Sequence, residues 1–272
     1  SRPREQLSVV RYKHTWVMSF LYIGTFGSFI GYSAAMPLLI KINFHRSPVP
    51  TASIGINFAY YAFLGALVGS LTRPFGGWLS DRFGGARVTA LAFVAMIIGT
   101  LGVLVTLTLL RPVPVASPDK LAAWAKDPSS FPGFPPAVVS AVDHNSGLFP
   151  WFLVAFLFVF AATGIGNGSA YRMIPAIWAG QAKLAGPEGS TDRTAAEARM
   201  PNEASAVLGI VSAVGAFGGF LIPITFGSPW VTDPVSAVKT AFMVFTGFYV
   251  VCLAVTWLFY LRRSSVMARV GV

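Results

Sequence analysis

The 272-residue chain is 54% hydrophobic and 11% charged, with 20 Lys and Arg against 10 Asp and Glu for a formal net charge of +10. Soluble domains carry about a quarter of their residues charged, so this balance, with a mean hydropathy of +0.65, describes an integral membrane protein and excludes a soluble domain. The basic residues are scattered at segment ends rather than clustered with aromatics, which excludes a nucleic-acid-binding surface; the lone Cys252 excludes a disulfide framework or a multi-cysteine metal site, and neither cofactor nor metal is expected.

In chain order, residues 1–14 form a basic lead-in without the apolar core and small-residue cleavage site of a signal peptide, and they read as the inside of a longer protein. Uncharged runs long enough to cross a bilayer, about 20 residues each, then predict six transmembrane helices within residues 15–263, at about 15–40, 54–80, 88–110, 149–178, 204–227 and 240–261. The second run is interrupted by Arg73. Residues 111–148, rich in Pro, Ala and Ser, predict a long loop with a short helix at 119–126; residues 180–203, carrying both signs of charge, predict a solvated loop; residues 264–272 are a basic tail. Arg2, Arg4, Arg11, Lys13, Arg82, Arg87, Lys183, Arg193, Arg199, Arg262, Arg263 and Arg269 fall on one side of these spans. Only Lys41, Arg46, Arg111, Lys120, Lys126 and Lys239 fall on the other. The first side is therefore cytoplasmic, with both chain ends inside and 111–148 outside.

Helical periodicity sorts the polar and small residues onto faces. The first span sets Tyr22, Phe26, Phe29 and Ser33 on one face and Gly24, Gly27, Ser28 and Gly31 on another. In the second, Arg73 shares a stripe with Ala62, Ala66, Gly69 and Gly76, and small residues mark the side of a membrane helix that packs on other helices. The guanidinium thus points into protein. A charge at membrane depth costs at least ~2.5 kcal/mol, which makes Arg73 a functional candidate with an anion as its partner; the structural alternative is an arginine snorkelling to the headgroups. The fourth span aligns Gly164, Asn167, Gly168 and Tyr171, with Arg172 just beyond, expected to snorkel or to pair with a loop acid. The fifth aligns Gly209, Ser212, Ala213, Ala216 and Gly219, with Gly215 and Gly218 beside them. For Asn167 and for the glycine strips, plain helix packing is the competing reading. None of the six predicted spans contains Asp, Glu or Lys, so no intramembrane proton carrier is evident, and no catalytic cluster points to an enzyme.

The run GWLSDRFG at 77–84, with Arg87 behind it, resembles the G-x-L-x-D-R-x-G loop motif of the major facilitator superfamily. Together with GIGNGSAYRMIP at 164–175 and GIVSAVGAFGGF at 209–220, the stretch RPFGGWLSDRFGG resembles the C-terminal half of the nitrate/nitrite porter family, a resemblance covering residues 16–263. It implies an all-α membrane fold, six helices forming one half of a twelve-helix bundle in the cytoplasmic (inner) membrane, with a complementary N-terminal half as partner. It further implies that Tyr22 and Phe26 line an anion site, and that the glycine signature packs against substrate and the other half; Ala216 stands where some relatives carry asparagine. The substrate-binding candidates are accordingly Arg73, Tyr22, Phe26, Asn167, Gly209 and Gly215. The loop-motif residues are Gly77, Asp81, Arg82, Gly84 and Arg87, and the signature glycines are Gly164, Gly168, Gly218 and Gly219.

The chemistry agrees with such a ligand. A planar monovalent oxyanion matches the parallel N–H donors of a guanidinium, and flanking aromatic rings exclude the water that would weaken the pair. The expected activity is transport of nitrate and nitrite by alternating access, with exchange favoured by the missing proton carrier. Proton-coupled nitrate symport and carriage of another small anion are the alternatives.

Overall fold

The computed structural model describes residues 8–226 and 234–269. Helix α1 runs from Lys13 to Phe44, broken by one π turn at Ile23–Gly27 and carrying Pro37 within it. A two-stranded antiparallel hairpin follows, β1 His45–Val49 and β2 Ala52–Gly55, with an irregularity between Arg46 and Val49. Then come α2 Leu64–Phe83, α3 Gly85–Leu109, the short α4 Pro118–Lys126, α5 Pro136–Leu184, α6 Thr191–Phe226, α7 Pro234–Thr256, which continues as a π turn Trp257–Leu261, and a final turn α8 Val266–Arg269.

Among the described residues five helices are long and apolar enough to cross a membrane: Lys13–Phe44, Gly85–Leu109, Pro136–Leu184, Thr191–Phe226 and Val235–Leu261. The second expected span, read at 54–80, appears as α2, which begins only at Leu64 because Ala52–Gly55 pair as β2 and Phe58–Tyr60 form a 3-10 turn; it falls short of that standard because Arg73, Asp81 and Arg82 lie in it among small residues. The bilayer face is legible on α3: Leu91, Val94, Ile98, Leu101 and Val105 recur every three to four residues and all stand exposed, an arrangement costly in water and natural against lipid. The opposite faces close around an aromatic core in which Tyr32 stacks on Phe242 (5.8 Å between centroids, 7° between planes) and meets Phe156, Phe160 and Phe245 edge to face. Hydroxyls tie the helices together inside that core. Ser28 and Tyr32 both bond the Tyr249 hydroxyl (2.7 and 2.8 Å), Thr89 bonds Ser169 (2.8 Å), and Thr246 donates to Thr100 (2.9 Å).

Two connections differ from the sequence expectation. Helix α5 starts at Pro136, inside the stretch read as loop 111–148, and its 49 residues span about 74 Å, far more than the roughly 30 Å hydrocarbon core. The extra turns form because Val138, Ala141, Val142, Asn145 and Phe149 repeat at helical spacing and are buried; of the prolines that read as loop, Pro135 precedes the helix and Pro136 takes its first position. Val138, Ala141 and Val142 pack with Val113, Ile54 and Phe134 into a small second core beyond the bundle. The stretch read as loop 180–203 is likewise mostly helix: α5 continues to Leu184 and α6 begins at Thr191. Its charges are solvated as expected, but as helix-surface residues, with Arg193 donating to Glu197 one turn on (2.8 Å). The expected lead-in lies partly and the tail partly outside the described residues.

Candidate functional site

Arg73 is the tenth residue of the twenty in α2 and is half-buried. Its guanidinium carbon sits 5.7 Å from the Phe26 ring centre on α1 and 5.9 Å from the Tyr171 ring centre on α5, within cation–π range of both. Phe26 in turn stands beside Tyr22, ring centres 5.2 Å apart. The Tyr22 hydroxyl, on a residue only 1% exposed, has Ser212 of α6, Arg73 and Tyr171 as electrostatic neighbours. Three helices therefore meet at one guanidinium, and α6 adjoins them through Tyr22 and Phe26. Among the described residues Arg73 forms no ion pair and no hydrogen bond, so its charge is compensated only by aromatic faces. An arginine so placed offers its full fork of N–H donors to an incoming oxyanion.

Local sequence explains how the helices come this close. Three glycines on α2 and α5 replace side-chain contact by backbone contact, while Gly65 faces the Phe160 ring: a Cβ on Gly168 would strike the Arg73 carbonyl, one on Gly164 the Gly69 carbonyl and Thr72 hydroxyl, and one on Gly76 the Ile165 carbonyl. On α1 and α6, Gly215 abuts Tyr22 and Phe26, a Cβ there coming to 2.8 Å of the Tyr22 ring; Gly218 meets Ile23, and Gly219 meets Ile30. The π turn at Ile23–Gly27 lies between Tyr22 and the rest of α1. Such insertions mark functional sites often, and this one arises where Gly24 and Gly27 remove the side chains that would resist it. Among the described residues no group of three or more His, Cys, Asp or Glu is gathered to hold a metal.

Of the six expected substrate residues, Arg73, Tyr22, Phe26 and Gly215 are brought together, and two are not. Asn167 is 1% exposed with its Oδ1 unpartnered, sealed in the bundle; Tyr171, one turn further along α5, is the residue that reaches Arg73. Gly209 is exposed with nothing within 4 Å of where a Cβ would stand, because six residues of helix turn it roughly 120° away from Gly215. The signature glycines Gly164, Gly168, Gly218 and Gly219 all serve helix packing. Tyr171 was legible only as a member of the Gly164, Asn167, Gly168 face, and Ser212 only as a member of the Gly209 face.

The loop motif occupies the end of α2. Gly84 is the single residue between α2 and α3, with φ of 89° and ψ of 133°, a conformation that favours glycine, and its N–H caps the helix on the Ser80 carbonyl at 2.9 Å. Asp81 pairs with Arg172 of α5 at 3.3 Å, both side chains more than half exposed. Gly77 faces the Arg172 stem. Arg82 lies over the rings of Trp78 and Phe83, and Arg87 lines an apolar cavity of about 470 Å³ with Leu79, Phe83 and Leu91.

No family model matches the chain. Among curated proteins it is similar to the nitrate/nitrite transporter NarU of Escherichia coli (strain K12), 36% identical over 266 residues, which is 96% of this chain and 46% of that protein. The nitrate/nitrite transporter NarU of Salmonella typhimurium (strain LT2) is 34% identical over 265 residues, 95% of this chain and 46% of that protein. The probable nitrate/nitrite antiporter NarK2 of Thermus thermophilus is 33% identical over 266 residues, 96% and 45% respectively. The chain spans about half the length of the curated relatives it matches.

Proposed function

We infer that this chain belongs to the nitrate/nitrite porter family of the major facilitator superfamily and is one six-helix half of a nitrate/nitrite transporter, with α2 as its second span. Arg73 binds the anion, Tyr22, Phe26 and Tyr171 wall it from water, and α6 presents Gly215 and Ser212 to the same space. A second, non-identical half completes the site, and the open face of α6 around Gly209 is where that half meets this one. The spans lie in the cytoplasmic membrane with the Arg82 end inside. Secondary transporters of this kind bind near the bilayer midplane and rock two halves about the ligand.

The observation that carries the reading is the half-buried Arg73 at the middle of its helix, ringed by aromatic faces and without a counter-ion among the described residues. A cation in that setting gains most from a bound anion, so crossing between states empty is unfavourable and exchange of one anion for another follows. The cluster around Arg73 contains no carboxylate, lysine or histidine, which leaves symport without a proton carrier there.

The test is reconstitution of the complete transporter in liposomes, with nitrate uptake measured with and without internal nitrite. Uptake should require internal nitrite. Arg73→Lys keeps the charge but loses the planar fork, and the loss of charge-assisted hydrogen bonds worth ~1.5–3 kcal/mol should slow exchange about ten- to a hundredfold. Uptake driven by an inward proton gradient without internal nitrite would replace exchange by symport; wild-type rates in Arg73→Lys would remove Arg73 from the site.

A further inference from the structure

At the end of the bundle opposite Arg82 and Arg87, α1, α3 and α7 come together around a second concentration of positive charge. A cavity of about 450 Å³ there is lined by Arg46, Arg111 and Lys239, with Asn43 and Asn145 between them. These are three of the six basic residues that the chain places at this end. Among the described residues no carboxylate lines the cavity, and none of the three cations is in an ion pair. Like charges so gathered repel one another, and an anion between them relieves that repulsion.

The cluster is held in place by its surroundings. Asn145, 2% exposed, grips the Arg111 backbone from both sides, accepting from its N–H at 2.8 Å and donating to its carbonyl at 3.0 Å. The Arg46 guanidinium is anchored through one nitrogen to the Ile42 and His45 carbonyls, at 2.9 and 2.8 Å, leaving its other donors free for a ligand. Burial pushes the Arg46 guanidinium below its ordinary value, a sign that this charge is short of solvent. Asn43, also 2% exposed, donates to the Leu39 carbonyl at 2.8 Å, while its Oδ1 has no partner among the described residues. A buried acceptor of that kind calls for a hydroxyl or amine donor. The remaining wall is mostly apolar, formed by Leu110, Pro112, Val113 and Val115 with Ser236 as a polar member, beside the ends of α3 and α7.

We propose that this cavity binds a phosphate-bearing anion, with Arg46, Arg111 and Lys239 on the phosphate oxygens and Asn43 Oδ1 accepting from a hydroxyl next to the phosphate. A phospholipid headgroup that carries a free hydroxyl supplies both features, and its acyl chains have the apolar wall to follow. Soluble phosphate supplies the first alone. The site clamps the ends of three helices and lies apart from the residues around Arg73.

The experiment is lipid titration of the complete purified transporter, delipidated in detergent, followed by native mass spectrometry and thermal unfolding. Phosphatidylglycerol should bind wild type with roughly tenfold preference over phosphatidylcholine, and the combined Arg46→Gln, Arg111→Gln, Lys239→Gln variant should lose roughly tenfold or more of that binding. Lys126→Gln, which removes a charge at the same end outside the cavity, should change neither. Lys239→Gln alone touches no hydrogen bond of the described structure and carries the test if the triple variant does not fold. Inorganic phosphate that stabilises wild type with the same variant dependence, where phosphatidylglycerol does not, assigns the site to a soluble anion. Nitrate as effective as phosphate, or equal lipid binding by wild type and Lys239→Gln, overturns the proposal.

Discussion

On one side of Arg73 two helices touch backbone to backbone, and on the other side glycine meets side chain. The α2–α5 seam sets Gly168 on the Arg73 carbonyl, Gly164 on the Gly69 carbonyl and Gly76 on the Ile165 carbonyl. Across the α1–α6 seam, Gly215 faces the Tyr22 and Phe26 rings, Gly218 and Gly219 face Ile23 and Ile30, and Gly31 faces Ile222; Gly27 alone among these meets backbone first, the Gly215 carbonyl at 2.9 Å. A backbone seam has no rotamers through which to adjust, so α2 and α5 move together and keep the Arg73 Cα fixed relative to Tyr171. A seam of rings and branched side chains can repack, and it runs alongside the π turn of α1. The same residue type thus makes a rigid frame in one place and an adaptable contact in another, according to what the partner helix presents.

The largest effect should come from closing the backbone seam. Gly168→Ala puts a methyl group against a carbonyl that cannot rotate away, so the helices must separate, and overpacking of this kind costs roughly 3 kcal/mol. Thermal unfolding of the detergent-solubilised transporter should show a fall of many degrees or no folded protein at all. A melting temperature within about 2 °C of wild type would mean that α2 and α5 are not held as closely as their glycines require. Gly215→Ala tests the other seam and should separate stability from activity. Its methyl group meets ring atoms of Tyr22 and Phe26 at 2.8 and 3.3 Å, which can turn at a cost of about 1 kcal/mol, yet turning them displaces the rings beside Arg73. The expected result is near-normal unfolding with nitrate exchange slowed about tenfold, and normal exchange would show that the rings do not shape the site.

The distinction between the seams explains what could be read from the residues alone. Glycine spacing on each helix announced a packing face, and the stripe of small residues that Arg73 shares announced that the guanidinium points into protein. Neither announced which helix supplies the opposing surface, because periodicity describes one helix at a time. Asn167 and Tyr171 illustrate this: both lie on the face of Gly164 and Gly168, but only Tyr171 reaches Arg73, and the difference is set by how far along α5 the α2 backbone crosses. The π turn in α1 was equally invisible, since residues at 3.6 spacing look the same whether or not one extra residue is inserted. The long α5 was obscured for the opposite reason. Prolines at 135 and 136 read as part of a loop, and the buried repeat from Val138 to Phe149 that overrides them is amphipathic rather than uniformly apolar.

The smallest effect on stability belongs to the contact that fastens the backbone seam at its Arg82 end. Asp81 and Arg172 pair at 3.3 Å with both side chains more than half exposed, and exposed pairs contribute about 0.2–1 kcal/mol. Asp81→Asn should therefore leave the melting temperature almost unchanged. Its influence on transport has a different origin: if the pair exists in one state of the transport cycle and not in the other, losing about 0.5 kcal/mol shifts the balance between states roughly twofold. Salt offers the same perturbation without mutation, because exposed charges are screened over a Debye length of about 10 Å at 0.1 M. Wild-type exchange measured in rising concentrations of a non-transported salt should change by about twofold, in the direction that Asp81→Asn changes it at low salt, and the variant itself should be flat. Equal salt dependence in both proteins would place the pair outside the gating step, leaving the glycine contacts alone to hold α2 and α5 together through the cycle.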